Sequence, residues 1–235
     1  MTEERFRPEV AVITGAGRGI GRATALAFAG RGVAVALGAR TPADLTEVER
    51  RIVETGGRAL ALPTDVAVAA QVERLVRETE DRLGPVDVLV NNAGVVEREW
   101  LVETSEESWD RVLGINLKGA FLSTRAVLPS MIARRRGRIV NVSSISGRLG
   151  TPRLAPYCAS KWGLIGLTKA VAEEVRGHQV HVFAVCPGSV DTEMLRKGLP
   201  GAEPQMSPEA VASLVVYLAT EAPSALTGAA IDIFG

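Results

Sequence analysis

The sequence predicts an α/β fold: a doubly wound parallel sheet of seven strands with helices on both faces, in three α/β/α layers. Two observations predict it. Short β-branched apolar runs alternate with longer amphipathic segments along the whole chain, the order that builds strand–helix–strand crossovers. Most of those runs are apolar at successive positions, as in strands covered on both faces. Strands are expected at 9–14, 33–39, 58–64, 86–91, 137–143, 180–186 and 229–234, with six helices between them. Helix boundaries fall in the gaps. Thr41-Pro42-Ala43-Asp44 offers an N-cap, a proline at the first helical position and a capping-box acid, and Ser207-Pro208-Glu209 offers a second cap. Gly56-Gly57 and Gly84-Pro85 mark helix ends.

The chain of 235 residues is 46% hydrophobic, enough for a large core. No linker, repeat or low-complexity tract divides it, so residues 1–235 read as one domain. Basic and acidic residues balance at 27 each. The whole-chain field therefore draws the protein to neither nucleic acid nor a membrane. Cys158 and Cys186 lie in apolar surroundings without a partner spacing and read as small buried residues. No His or Cys cluster suggests a metal, and His178 and His181 read as ordinary strand-entry residues. The start, MTEERFRPE, has no apolar h-region, and no apolar run approaches the ~20 residues of a membrane span. A cytoplasmic location is expected.

After the first strand comes TGAGRGIG, residues 14–21. Gly15, Gly19 and Gly21 are spaced x-x-x and x, with Gly17 additional; Arg18 and Ile20 fill the loop. Neither the G-x-G-x-x-G fingerprint nor a Walker loop fits. The physics is shared with both: glycines let backbone approach a pyrophosphate, and the following helix offers free N–H groups and a positive dipole end. An NAD site usually places an acid about 20 residues further on, at the end of the second strand. That place reads Gly38-Ala39-Arg40. A guanidinium suits a ribose 2′-phosphate, so NADP, with NADPH preferred over NADH, is the expected cofactor. Arg18 is a second candidate contact, and Asp44, the nearest acid, is explained by its capping box.

These residues, with Asp65-Val66, Asn91-Asn92-Ala93-Gly94, Asn116, Ser144, Tyr157-x-x-x-Lys161 and Pro187-Gly188 followed by Thr192, resemble the short-chain dehydrogenase/reductase family over nearly the whole chain. The resemblance implies a single-domain Rossmann-like fold, often a homotetramer, that moves hydride between NAD(P) and alcohols or carbonyls. It implies that Asn116, Ser144, Tyr157 and Lys161 are catalytic. Asn92, Ala93 and Gly94 would line the adenosine side. Asp65 and Val66 would lie beside adenine, although Asp65 equally suits the N-cap of a helix starting near Val66. Pro187, Gly188, Val190 and Thr192 would bracket the nicotinamide carboxamide.

Tyr157 and Lys161 stand four residues apart and so share a helix face. An ammonium ~4 Å from the phenol is worth about 4 kcal/mol at an effective dielectric of ~20. That would lower the phenol by roughly 2–3 units from its free value near 10, the range where a general acid works best. The family reading has Tyr157 protonate the carbonyl oxygen while Lys161 tunes the phenol and holds the nicotinamide ribose. Ser144, rather than Ser143, has the family's offset of about thirteen from the tyrosine. It would hold the developing oxyanion, and Ser143 would bond to backbone. Asn116 would position a water in a relay to Lys161.

A short substrate loop is expected at about 189–207, with Met194, Leu195, Leu199 and Met206 as apolar walls facing Val95, Trp100, Leu149 and Leu154. Such a pocket suits a small or medium carbonyl compound or the acyl end of a thioester. The stretches TGAGRGIG, NNAG and GRIVNVSS resemble 3-oxoacyl-carrier-protein reductases in particular. Arg134-Arg135-Arg136 is a candidate dock for an acidic carrier protein, or a solvated helix end. Glu173-Glu174, where those reductases tend to carry a basic residue, and the shortened loop count against a carrier. The reading is an NADPH-dependent carbonyl or 3-oxoacyl reductase. A non-catalytic NADP-binding regulator is the contrasting class.

Overall fold

The computed structural model describes residues 6–235. Residues 1–5, part of the charged start read above, lie outside the described residues. All seven expected strands form: β1 (Val10–Thr14), β2 (Ala34–Ala39), β3 (Ala59–Pro63), β4 (Val88–Asn91), β5 (Gly137–Val142), β6 (Val180–Pro187) and β7 (Ala230–Ile233). Each boundary falls within two residues of its expected place. The strands make one parallel sheet in the order β3-β2-β1-β4-β5-β6-β7.

Alternate residues of the apolar strands go to opposite faces, which is why the runs are apolar throughout. Ile13, Leu37, Val90, Val140 and Phe183 face one core with Phe28, Leu45, Ile52, Val215 and Leu218. Val12, Ala36, Leu89, Ile139 and Val182 face the other with Leu75, Val127, Met131 and Val171. Helices α1 (Gly19–Ala29), α2 (Pro42–Glu54) and α8 (Pro208–Thr220) cover the first face. Helices α3 (Ala69–Arg82), α5 (Gly119–Arg134) and α6 (Ala155–Val175) cover the second.

Two helices were not expected. The β4–β5 crossover is divided into α4 (Glu106–Leu113) and α5 by a π-turn at Gly114–Lys118, and the expected substrate loop contains α7 (Glu193–Gly198). The described residues thus hold eight α-helices where six were read. Capping also needs correction. Thr41 makes no side-chain cap bond at α2, so the capping-box account of Asp44 fails. Asp65 does not cap α3, which starts at Ala69; its Oδ1 accepts from Ala67 N at 2.9 Å, forming a tight turn ahead of the helix. Ser207 does cap α8, accepting from Ala210 N. Gly56 and Gly84 take the positive φ that ends α2 and α3. Cys186 is buried and Cys158 only half-buried. Among the described residues no helix is long and apolar enough to cross a membrane.

Two of the three consecutive arginines are committed to a buried carboxylate. Arg134 Nη1 and Arg136 Nε both donate to Asp87 Oδ1 at 3.0 Å, and Asp87 Oδ2 accepts from Glu9 N at 2.8 Å. Arg135 takes the left-handed conformation that ends α5. The buried Asp87 carboxylate thereby ties together the starts of β1, β4 and β5, at the end of the sheet away from the cleft. Removing a buried partner leaves charges and backbone donors uncompensated. Asp87→Ala should lower the unfolding free energy by about 2–4 kcal/mol in urea titration; an unchanged midpoint would show that the arginines are held by solvent.

Candidate active site

The sheet reverses its order between β1 and β4, and a cleft opens at the carboxyl ends of the strands there. The loops after these two strands are stapled together. Thr14 Oγ1 donates to Val90 O and accepts from Asn92 N at 3.0 Å and Ala93 N at 3.1 Å. Asn92 Nδ2 donates to Thr14 O at 3.0 Å and Gly15 O at 3.1 Å. This leaves no room for side chains: a β-carbon on Gly15 would lie 2.8 Å from Ala93 Cα, and one on Gly21 would lie 2.2 Å from Gly15 O. Gly15 and Gly19 also have positive φ. Gly17 lets the loop pass Asp44, whose Cβ would be 2.8 Å from an added carbon.

The cleft holds about 620 Å³. Glycine backbone and the start of α1, which has no side-chain cap, line one end. The residues there fit a dinucleotide pyrophosphate, with bare backbone and free N–H groups at a helix start. Arg40 lies at the same end, exposed and with no ion-pair partner among the described residues. Asp65, Val66 and Asp44 line this end too. Arg18, expected to be free for the cofactor, is paired with Glu193 of α7 across the cleft.

At the other end, Tyr157 and Lys161 are buried on α6 beside the end of β5. Lys161 Nζ donates to Val142 O at 2.9 Å and lies 5.6 Å from the centre of the Tyr157 ring. Ser144 Oγ accepts from Ser146 N at 3.1 Å, and Ser143 Oγ donates to Lys161 O, the backbone role expected of it. Asn116 sits in the π-turn. Its Oδ1 accepts from Val95 N at 2.8 Å, and its Nδ2 donates to Val95 O at 2.9 Å and Ser160 Oγ at 3.0 Å. An Asn is unfavourable inside a regular helix; here both ends of its amide position the β4 loop and α6.

Every expected site residue lines this one cleft except Gly21, which packs α1 against the loop, and Asn116. Pro187, Gly188, Val190 and Thr192 line it beside α7, and Thr192 caps that helix by accepting from Leu195 N. The apolar wall of the cleft at Tyr157 consists of Val95, Val96, Leu154, Met194 and Leu199, with the fully buried Val112 packed behind it. Trp100 and Leu149 are exposed instead, and Met206 belongs to the main core. Sequence reasoning missed Glu97, Arg111 and Glu193 as lining residues. Their neighbours join the wall only through tertiary packing, and no local pattern marks them.

Burial corrects the expected tuning of the phenol. It pushes Tyr157 up to about 12, opposed by a hydrogen bond with Ser144, and it pushes Lys161 down to about 8. The ammonium faces a backbone carbonyl and the ring, so it does not lower the phenol as the helix spacing suggested. Both shifts act on stability. Between pH ~8 and ~10.5 the unfolded chain holds the Lys161 proton more tightly, so stability rises with pH. Between pH ~10 and ~12 the folded chain holds the Tyr157 proton more tightly, so stability falls. Urea unfolding across pH 7–12 should show the rise in the unmodified chain and not in Lys161→Met, and a smaller fall in Tyr157→Phe. Parallel curves for all three would contradict these environments.

The chain is similar to known proteins over nearly its whole length. The profile of the short chain dehydrogenase family matches residues 9–201. A 3-oxoacyl-(acyl-carrier-protein) reductase of Synechocystis sp. is 40% identical over 97% of this chain and 96% of its own length. The 3-oxoacyl-(acyl-carrier-protein) reductase FabG of Thermotoga maritima is 39% identical over 98% of both. A crystal structure of a variant actinorhodin polyketide ketoreductase with NADPH superposes with a TM-score of 0.91 at 35% identity, covering 97% of this chain and 96% of that one. Similarity over nearly the full length of these proteins shows that the chain belongs to the short-chain dehydrogenase family, as an oxidoreductase.

Proposed function

We propose that the protein is an NADPH-dependent reductase of a carbonyl, best matched by a 3-oxoacyl thioester, with Tyr157 as general acid. The observation that carries this reading is the meeting of Ser144, Tyr157 and Lys161 at one end of a cleft whose other end is a bare glycine cradle. NADPH, when bound, supplies the hydride that reduces the carbonyl carbon. Tyr157 is protonated at neutral pH and gives its proton to the carbonyl oxygen. The Ser144 hydroxyl stabilises the charge developing on that oxygen. Lys161, mostly charged at pH 7, would hold the nicotinamide ribose by hydrogen bonds from its ammonium. The apolar wall of Val96, Leu154 and Leu199 suits an acyl chain.

The names of the full-length relatives support a 3-oxoacyl substrate carried by acyl-carrier protein. The arginine triplet adds nothing to that, since two of its members are committed to Asp87. The reading includes a cytoplasmic homotetramer; Phe121 on α5 and Trp162 on α6, both exposed, support an interface there. NADPH over NADH rests on Arg40, exposed beside the cradle where an NAD site would carry an acid.

Tyr157→Phe should cut turnover of a 3-oxoacyl thioester by about 10²–10⁴-fold while NADPH binding persists. Unchanged turnover would remove Tyr157 from the chemistry, and a chain that binds NADPH without turning over any carbonyl would favour the regulator. Arg40→Asp should reverse the NADPH:NADH preference in kcat/KM. A variant that still favours NADPH by a wide margin would assign the 2′-phosphate to other residues.

A further inference from the structure

Ser144 must aim its hydroxyl at the carbonyl oxygen, and a short turn decides that aim. A hydroxyl has one proton to donate and two lone pairs. Ser144 Oγ uses one lone pair on Ser146 N at 3.1 Å, which leaves its proton for a partner in the cleft. Ser146 belongs to a single 3₁₀ turn, Ile145–Gly147, that starts from Ser144. If the turn shifts, the Ser146 N–H shifts with it, and the Ser144 hydroxyl follows.

The turn is held from two sides. On one side Gly147 lies flush against α6: a β-carbon there would be 2.8 Å from Ser143 Oγ and 2.9 Å from Lys161 O. On the other side the holder is Arg148. Its Nε donates to Asp232 Oδ1 at 2.9 Å and its Nη2 donates to Ala230 O, both on β7. That strand pairs Asp232 with Cys186 and Ile233 with Pro187, and Ile233 O accepts from Gly188 N at 3.0 Å. Cys186 is buried, and burial pushes its thiol up, so it stays uncharged beside Asp232 at neutral pH. Arg148 thus fixes the Ser144 turn relative to the strand end that carries Pro187 and Gly188 into the cleft.

Beyond Arg148 the chain packs loosely. Leu149 is 61% exposed, and a β-carbon on Gly150 would meet nothing within 4 Å. Ser146 Oγ does bond to Thr151 Oγ1 at 3.0 Å, but Thr151 belongs to the same stretch and gives the turn no anchor on the sheet. We infer that Arg148 is a positioning residue for Ser144, with Asp232 as its anchor. Neither side chain lines the cleft, so both act through the turn rather than on the substrate. This inference rests on the reductase reading above, in which Ser144 holds the charge developing on the carbonyl oxygen.

The Arg148 and Asp232 side chains are 31% and 41% exposed, and a pair so exposed adds little to stability. Its loss should therefore show in turnover and not in folding. With an acetoacetyl thioester of N-acetylcysteamine as substrate, Arg148→Ala should lower kcat about ten-fold, as a small misplacement of an oxyanion donor does. The urea midpoint and the Kd for NADPH should stay at the values of the unmodified chain. Asp232→Ala should lower kcat to a similar degree, and Arg148→Ala/Asp232→Ala no further. Arg148→Lys keeps the charge but loses the fork that spans Asp232 and Ala230 O, and should fall between. The deciding comparison is made on Ser144→Ala: adding Arg148→Ala to it should change kcat by less than about two-fold. Unchanged kcat in Arg148→Ala, the same loss with and without Ser144, or a parallel loss of NADPH binding would overturn the inference. Where Ser144→Ala turns over too slowly to read, additive losses in the Arg148–Asp232 cycle would overturn it. An unmodified chain that reduces no carbonyl would defeat the functional reading beneath. Normal turnover with a null cycle would defeat this inference alone.

Discussion

The site depends on one junction, the hydrogen bonds that join the end of β1 to the end of β4 through Thr14 and Asn92. These strands are neighbours in the sheet but distant in the chain, and their following loops run in opposite directions. Thr14 Oγ1 and the Asn92 amide fill the backbone groups the parting loops would leave unpaired. The two loops come so close that Gly15 and Gly21 can be nothing larger. Cradle, cleft and helix start all follow from that approach.

A second set of polar bonds orients the catalytic helix. Asn91 and Asn141 are register partners on β4 and β5, and Asn91 Nδ2 donates to Asn141 Oδ1 at 2.9 Å. Asn91 Nδ2 also reaches Thr124 on α5, and Asn141 Nδ2 donates to Thr168 Oγ1 on α6 at 2.8 Å. Thr168 lies seven residues, two helical turns, after Lys161 and so shares its face. This buried line sets the rotation of α6, which turns Lys161 towards the end of β5. Buried polar groups linked this way favour one arrangement over its neighbours.

The π-turn completes the frame. Its Asn116 amide bonds both backbone groups of Val95 and the Ser160 hydroxyl, joining the β4 loop to α6. Together these bonds place Gly94, Tyr157 and Lys161 around one space. Burial, rather than the helix spacing of the pair, then sets their proton affinities.

The layered α/β fold, the seven strands and the glycine turn were legible in the sequence, because alternation of apolar runs and glycine punctuation are local consequences of backbone geometry. Most of the expected site residues were legible for a related reason: they follow strand ends, and strand ends in a parallel sheet share one side. Other features were not. The use of Arg134 and Arg136 on Asp87, the hold of Glu193 on Arg18, the seating of Met194 on the phenol and the raised affinity of Tyr157 for its proton all join residues far apart in the chain. Charge pairing and desolvation depend on distance and burial in three dimensions, and neither is written in local spacing. The sequence determined which groups the site contains; only the tertiary structure decided which of them face each other, and with what charge.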